Sequence, residues 1–351
     1  MTEFAGRTLL ITGGAGFLGT QVLRDLRTRF PGRIVCVQRR PGVPWPADPG
    51  GPAPEGPAGH RPEVTERLCD LRDAERWHDA LRGADYVLWM AALRDHAAGV
   101  DEAHEHNVAP LRAALETLRG SGRLRRFVFT SSISAVDQPW HPARPRPIHD
   151  GAEPNPCTPY GASKLAAERA LAASGLPHTT LRLPFLYGPG WRRSSFLDFY
   201  LRAARTRWLG ALRYTATLSL LYTGDVARLV LAVLSDRNAA AADASPYVVS
   251  DGRVYEVDDL VSRVARLHDL RRPRPLPAAV GRLASALALG SRAVLRRGPV
   301  RRGPAGLLGT YWSHAAFTRD FFTVDAARFH AAFPDCAFTP LDEALARSYG
   351  R

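Results

Sequence analysis

Apolar residues along the chain fall into short, nearly unbroken runs, separated by longer stretches in which they recur every three or four positions. Arg7-Thr-Leu-Leu-Ile-Thr12 is the first such run, and it ends in a glycine turn. A run of this kind predicts a strand buried on both faces of a parallel sheet. Helical spacing follows from Phe17 to Arg29. Arg33–Gln38, Val64–Cys69, Ala84–Met90 and Arg126–Ser131 read as further strands, with helical patterns at Ala74–Leu81 and Asp101–Leu118 between them. Pro159–Ala173 predicts another helix, Thr179–Leu183 a strand and Thr223–Leu234 a helix. Strands alternating with helices predict an α/β fold, a doubly wound parallel sheet. Right-handed crossovers then gather the strand ends along one edge, where ligands bind.

Two stretches depart from that rhythm. Residues 41–63 are dense in proline and glycine and read as a surface insertion. From about Asp251 the pattern turns helical and irregular, and Ala278–Ala293 is apolar with arginines on either side. Between Arg271 and Arg302 there is no acidic residue. That region reads as a substrate lid, a contact with an anionic membrane surface, or a solvated helical face.

Composition narrows the function classes. With 351 residues, 45% of them hydrophobic, the chain can bury a real core. The net charge of +13 raises nucleic acid as a partner, but the arginines are spread along the chain and no helix-turn-helix, zinc spacing or RNA-binding aromatic motif accompanies them. The expectation is a small-molecule partner and no nucleic acid. No run approaches the ~20 apolar residues of a membrane-spanning helix, and the first residues lack the basic-then-apolar order of a signal peptide. The cysteines Cys36, Cys69, Cys157 and Cys336 have no metal-ligand spacing, so no metal is expected and a reduced, cytoplasmic protein is. Lys164 is the only lysine; all other members of the Lys+Arg count of 47 are arginine.

The chemistry concentrates at strand ends. Thr12-Gly-Gly-Ala-Gly-Phe-Leu-Gly19 lies between the first strand and the first helix, where glycines admit a pyrophosphate and a helix N-terminus offers donors to it. The second strand ends Val37-Gln-Arg-Arg-Pro41, without the carboxylate that would hold a ribose 2′-hydroxyl. Arg39, and after it Arg40, suits a 2′-phosphate, so NADP is expected ahead of NAD. Tyr160 and Lys164, at i and i+4, share one helix face. The ammonium is expected to lower the phenol's pKa and fit it for proton exchange with a hydroxyl or carbonyl.

The glycine loop, Phe127-Val-Phe-Thr-Ser-Ser-Ile-Ser134 and Tyr160-Gly-Ala-Ser-Lys164 together resemble the extended short-chain dehydrogenases/reductases, of the NAD-dependent epimerase/dehydratase-like kind. The resemblance extends through Leu181–Gly190 and Tyr222–Ala227. It implies a Rossmann-type dinucleotide-binding domain over residues 1–185 with 223–250 returning to it. A smaller, mainly helical C-terminal substrate lobe would comprise 186–222 and 251–351. It implies a catalytic set of Ser132, Tyr160 and Lys164, with Ser131 the alternative serine. It also implies cofactor contacts at Gly13, Gly16, Phe17, Leu18 and Gly19, at Asp70 and Leu71 by the adenine, at Ala91 and Ala92, at Pro184, and at Tyr160 and Lys164. A homodimer through the helices at Asp101–Leu118 and Pro159–Ala173 is implied by the family alone.

Departures from the family pattern point to the substrate. Trp89 replaces a histidine usual in relatives and is expected to alter the pocket wall. Phe185 and Leu218 stand where sugar-nucleotide members carry an asparagine and an arginine, and Ile133-Ser134 where dehydratases carry an Asp-Glu pair. Arg192 and Arg193 read as ligands of an anionic substrate group or as solvated arginines. The leading expectation is an NAD(P)-dependent oxidoreductase acting on an alcohol or ketone of a lipid-like or secondary-metabolite substrate. The alternatives are a nucleotide-sugar epimerase with bound NAD and a non-catalytic dinucleotide-binding regulator.

Overall fold

The computed structural model describes residues 2–41, 63–94, 98–136, 147–156, 158–189, 216–235, 245–271 and 321–349, with isolated positions between 277 and 283. The Pro/Gly-rich stretch, Arg192 and Arg193, Cys157 and nearly all of the arginine-rich region lie outside the described residues.

Seven strands form one parallel sheet: β1 (Thr8–Thr12), β2 (Arg33–Gln38), β3 (Val64–Leu68), β4 (Tyr86–Trp89), β5 (Arg126–Ser132), β6 (His178–Leu183) and β10 (Tyr247–Val248). Their order is β10-β6-β5-β4-β1-β2-β3, and every adjacent pair is parallel. The order reverses at β1, flanked by β2 and β4, and this switch point is where a doubly wound sheet opens a ligand crevice. Because the strands are parallel, Thr12, Gln38, Trp89, Ser132 and Leu183 all end at one edge.

Period-two alternation sorts the strands into two helical layers. Leu9, Ile11, Tyr86, Leu88 and Val128 join the core beneath α1 (Phe17–Arg29) and α6 (Thr223–Leu234). Leu10, Val87, Trp89, Phe127 and Phe129 join the opposite core beneath α4 (Ala109–Arg119) and α5 (Pro159–Ala172). Trp89 therefore does not line a pocket. It is 1% exposed, with its ring 5.9 Å from Trp77 and 6.0 Å from Phe127. Parity along β4 turns it inward, whatever stands at that position in relatives.

The expected helix over Asp101–Leu118 is two helices, α3 (Val100–Asn107) and α4, broken at Val108. Pro110, in the first turn of α4, has no N–H to continue a helical ladder and disfavours helical backbone before it. Ala74–Leu81 is likewise split into a 3₁₀ turn (Ala74–Arg76) and α2 (His78–Arg82).

Among the described residues, the C-terminal part also carries short strands. β8 (Thr217–Leu218), β11 (Tyr255–Glu256) and β12 (Phe321–Phe322) form a three-stranded sheet, and β7 (Phe185–Tyr187) pairs with β9 (Leu220–Tyr222). α7 (Val257–Leu267) and α9 (Leu341–Tyr349) cover the small sheet. α8 (Ala327–Ala332) carries Phe329 back into the main core, where it meets Tyr247 edge-on at 6.1 Å. Among the described residues no helix is long and apolar enough to cross a membrane.

Truncating Trp89 to alanine should cost about 3–5 kcal/mol, the usual penalty for emptying a large aromatic site in a packed core. Urea unfolding of the wild-type and Trp89→Ala proteins measures it. A change under about 1 kcal/mol would mean that the ring is not packed as described.

Candidate active site

The glycine loop leaves β1 at Thr12, whose buried hydroxyl accepts the backbone N–H groups of Met90 and Ala91, each at 3.2 Å. That contact ties the ends of β1 and β4 together. Gly13 has φ +78°, and a Cβ there would stand 2.8 Å from the Ala91 nitrogen; at Gly19 one would stand 2.1 Å from the Gly13 oxygen. Side chains would fill the cradle, so the glycines keep it open. No side chain caps the N-terminus of α1 at Gly16. Open backbone at a helix start is the standard receptor for a pyrophosphate. Gln38, at the end of β2, is buried, and neither atom of its amide has a hydrogen-bond partner within the protein. A buried amide without partners is costly unless a ligand meets it. Cradle, open helix start and orphaned amide lie at one edge and fit a dinucleotide.

Arg39 and Arg40 follow Gln38 on the exposed surface. Asp70 accepts from the Arg72 Nε at 3.1 Å and Nη2 at 3.2 Å, and Arg72 also reaches Glu105 at 2.7 Å. The Arg72 guanidinium holds the Asp70 carboxyl below the usual carboxylate range, and Arg39 adds to the effect. Leu71 packs partly buried against the second core, and Ala91, Ala92 and Pro184 stand at the same edge.

α5 begins with Thr158, whose hydroxyl accepts the Gly161 N–H at 3.0 Å, and with Pro159 at its first position. Both are strong helix starts. Gly161 lets this helix settle on the segment after β5, since a Cβ there would lie 2.1 Å from the Ser134 oxygen. That close approach brings the Tyr160 hydroxyl into hydrogen bonding with Ser132. Ser131 points elsewhere: its Oγ donates to Glu168 Oε1 at 2.5 Å. The Lys164 Nζ donates to the Thr130 carbonyl at 2.7 Å and lies 4.7 Å from the Phe129 ring centre and 5.8 Å from that of Tyr160.

The electrostatics differ from the expectation. Burial pushes the Tyr160 phenol above its ordinary value, while Arg94 and the Ser132 hydrogen bond pull it back. The expected donor of charge, Lys164, is only 3% exposed, and desolvation brings it from 10.5 down to about 7, against the opposing pull of Glu168. The group expected to depress the phenol thus has its own pKa lowered by burial.

Residues outside the expected set also take part. Glu168 is held by Ser131 and by the fork of Arg182, whose Nη2 approaches Oε2 at 2.7 Å and Nε approaches Oε1 at 3.1 Å. Asn107 exchanges hydrogen bonds with the Leu93 backbone at 2.6 and 3.1 Å and donates to Ser163 at 2.8 Å, fixing the segment that carries Arg94 beside the start of α5. The recurrence of Glu168 four residues after Lys164 was the available signal; nothing in the sequence marks Arg94.

Fold and site together define a dinucleotide-dependent enzyme scaffold. A sequence profile of the NAD dependent epimerase/dehydratase family matches residues 9–249, and the chain belongs to that family. It is 31% identical over 268 residues to the human 3 beta-hydroxysteroid dehydrogenase type 7, covering 70% of this chain and 69% of that enzyme. It is also 31% identical over 180 residues to a UDP-glucose 4-epimerase of Streptomyces lividans, spanning about half of each chain (48% of both). The fold is similar to that of MoeE5 in complex with UDP-glucuronic acid and NAD, with a TM-score of 0.65, 24% identity and 97% of each chain covered.

The buried lysine should cost the fold stability. Its folded pKa lies below its unfolded one, so the penalty is full below about pH 7 and fades as pH rises toward 10.5. Lys164→Met should therefore melt above wild type at pH 6, with the gap narrowing by pH 9. Thermal melts across that range test it; a variant less stable at pH 6 would contradict it.

Proposed function

We propose that the protein is a nicotinamide-dinucleotide oxidoreductase interconverting a secondary alcohol and a ketone on a lipid-like or secondary-metabolite substrate. The apolar wall beside the reactive edge carries this reading. Phe185 packs edge-on against Phe322 at 5.3 Å and against the cluster of Ile133, Val136, Ile148 and Val324. Leu218 is fully buried in the neighbouring core, so like Trp89 it meets no ligand, and Phe185 alone of the two faces the edge. A diphosphate would gain no polar partner from these side chains, and desolvating one there is costly. The similarity to a hydroxysteroid dehydrogenase agrees with an apolar substrate.

The bound nicotinamide would supply or accept a hydride. Tyr160 moves the proton at the substrate oxygen, Ser132 donates a hydrogen bond to that oxygen, and Lys164 anchors the ribose hydroxyls and supports the phenolate. Gly13, Gly16, Phe17, Leu18 and Gly19 receive the pyrophosphate. Asp70 and Leu71 flank the adenine, while Ala91, Ala92 and Pro184 border the nicotinamide half. Gln38 brings no negative charge to repel a 2′-phosphate, and Arg39 and Arg40 stand ready to pair with one, which favours NADP over NAD. The substrate is held by segments 186–222 and 251–351.

A nucleotide-sugar epimerase is the second reading, favoured by the similarity to UDP-glucose 4-epimerase. The two differ in how the cofactor is kept. Nucleotide released by denaturing the purified protein identifies it, and fluorescence titration of the emptied protein with NADPH and NADH follows. Weak retention with NADPH preferred supports the oxidoreductase; tightly retained NAD puts the epimerase first. On a ketone and alcohol panel, Tyr160→Phe should keep NADPH affinity and lose about 10²–10⁴-fold in kcat. Turnover near wild type would remove Tyr160 from its role.

A further inference from the structure

Tyr160, Lys164 and Glu168 follow one another at four-residue spacing on a single face of α5. Three consecutive positions of β5 hold them: Ser132 bonds Tyr160, the Thr130 carbonyl accepts from Lys164, and Ser131 donates to Glu168. We propose that Glu168 is a positioning residue of the active site, whose carboxylate, fixed by Ser131 and Arg182, keeps the Lys164 ammonium charged beside Tyr160. The inference deepens the proposed function, since it rests on Lys164 serving Tyr160.

The surroundings of Lys164 leave this task to Glu168. From its own helix the lysine faces Tyr160 and Glu168. From β5 it meets the Thr130 carbonyl and the Phe129 ring, neither of them charged. From β6 comes Arg182, opposite Ser131 in the strand register, which reaches the group through Glu168. From α3 comes Asn107, uncharged, through Ser163. Arg94, on the segment after β4, acts on Tyr160 and adds a further positive charge. Glu168 is thus the one carboxylate among these groups, and it is held at both oxygens. Arg182 is anchored in turn by the Asp150 carbonyl at 3.2 Å. The buried set of Lys164, Glu168 and Arg182 balances two cations against one anion. Take the anion away and two cations share a dry interior. Arginine does not give up its proton there, and lysine does.

A residue that merely clamped helix to strand would leave the lysine's titration unchanged, and the sole lysine makes that titration directly readable. Protein grown with ¹³C-labelled lysine gives one side-chain ε-methylene signal, that of Lys164, followed by NMR from pH 5 to 10 without nucleotide or substrate. Wild type should titrate near 7. In Glu168→Gln the midpoint should fall by about one unit or more, the usual effect of losing a neighbouring opposite charge. Glu168→Asp keeps a partner for Arg182 but withdraws the carboxylate by one methylene, so it should move the midpoint down by a smaller step. It supplies the reading if the glutamine variant does not fold. Ser131→Ala, which leaves the charge, should hold the midpoint near wild type. An unmoved midpoint in the Glu168 variants overturns the proposal, as does a fall in Ser131→Ala equal to that in Glu168→Gln. Neither result depends on which reaction the enzyme performs, so the inference and the proposed function can fail separately.

Discussion

A lysine ammonium taken almost wholly out of water is the constraint on which the rest of the site depends. Charge in a dry interior is tolerated only where hydrogen bonds and opposite charge surround it. The protein meets that demand with the last three residues of β5, each engaging one turn of α5. The dinucleotide cradle is built on the same edge, because parallel strands bring every carboxyl end to one side. The sheet's order puts the glycine loop beside the end of β4, and Thr12 locks the two together. α5 and the glycine cradle are thus both referenced to the strand ends and keep their spacing as the sheet twists.

The parity of β5 explains how two adjacent serines acquire different work. Phe127 and Phe129 point into the layer beneath α5, and Ser131 continues that face, where the buried Glu168 and Arg182 engage it. Ser132 falls at the strand's end, clear of the layer and level with the first turn of α5, where Gly161 permits close approach. A single residue's shift along the strand separates a hydroxyl that holds Glu168 from one that meets the Tyr160 phenol.

Much of this was legible in the sequence, because it rests on local pattern. Strands buried on both faces give continuous apolar runs, and the glycine loop, Tyr160 and Lys164 carry their spacing with them. What was not legible depends on partners distant in the chain. Strands of two residues, such as β8, β11 and β12, have no periodicity to read. Pro110 was in plain view, but the amphipathic pattern runs straight across it and masks the break. The family resemblance places Trp89 in a pocket wall, whereas strand parity alone sends it into the core. The pKa of Lys164 was beyond the sequence altogether, since it comes from burial by β5 and from a carboxylate whose orientation Arg182 sets from another strand.

The rarity of lysine in this chain is then a statement about chemistry rather than charge. Arginine supplies positive charge wherever the fold needs it: Arg7 and Arg123 both neutralise the buried Asp85, and Arg182 neutralises Glu168. These positions ask for a permanent cation with forked donors, and arginine is better at both. Position 164 holds a group compact enough to lie on a strand carbonyl under an aromatic ring, with a pKa that burial can lower. Arginine offers neither. Lysine stands where burial lowers the cation's pKa, and Glu168 opposes that shift.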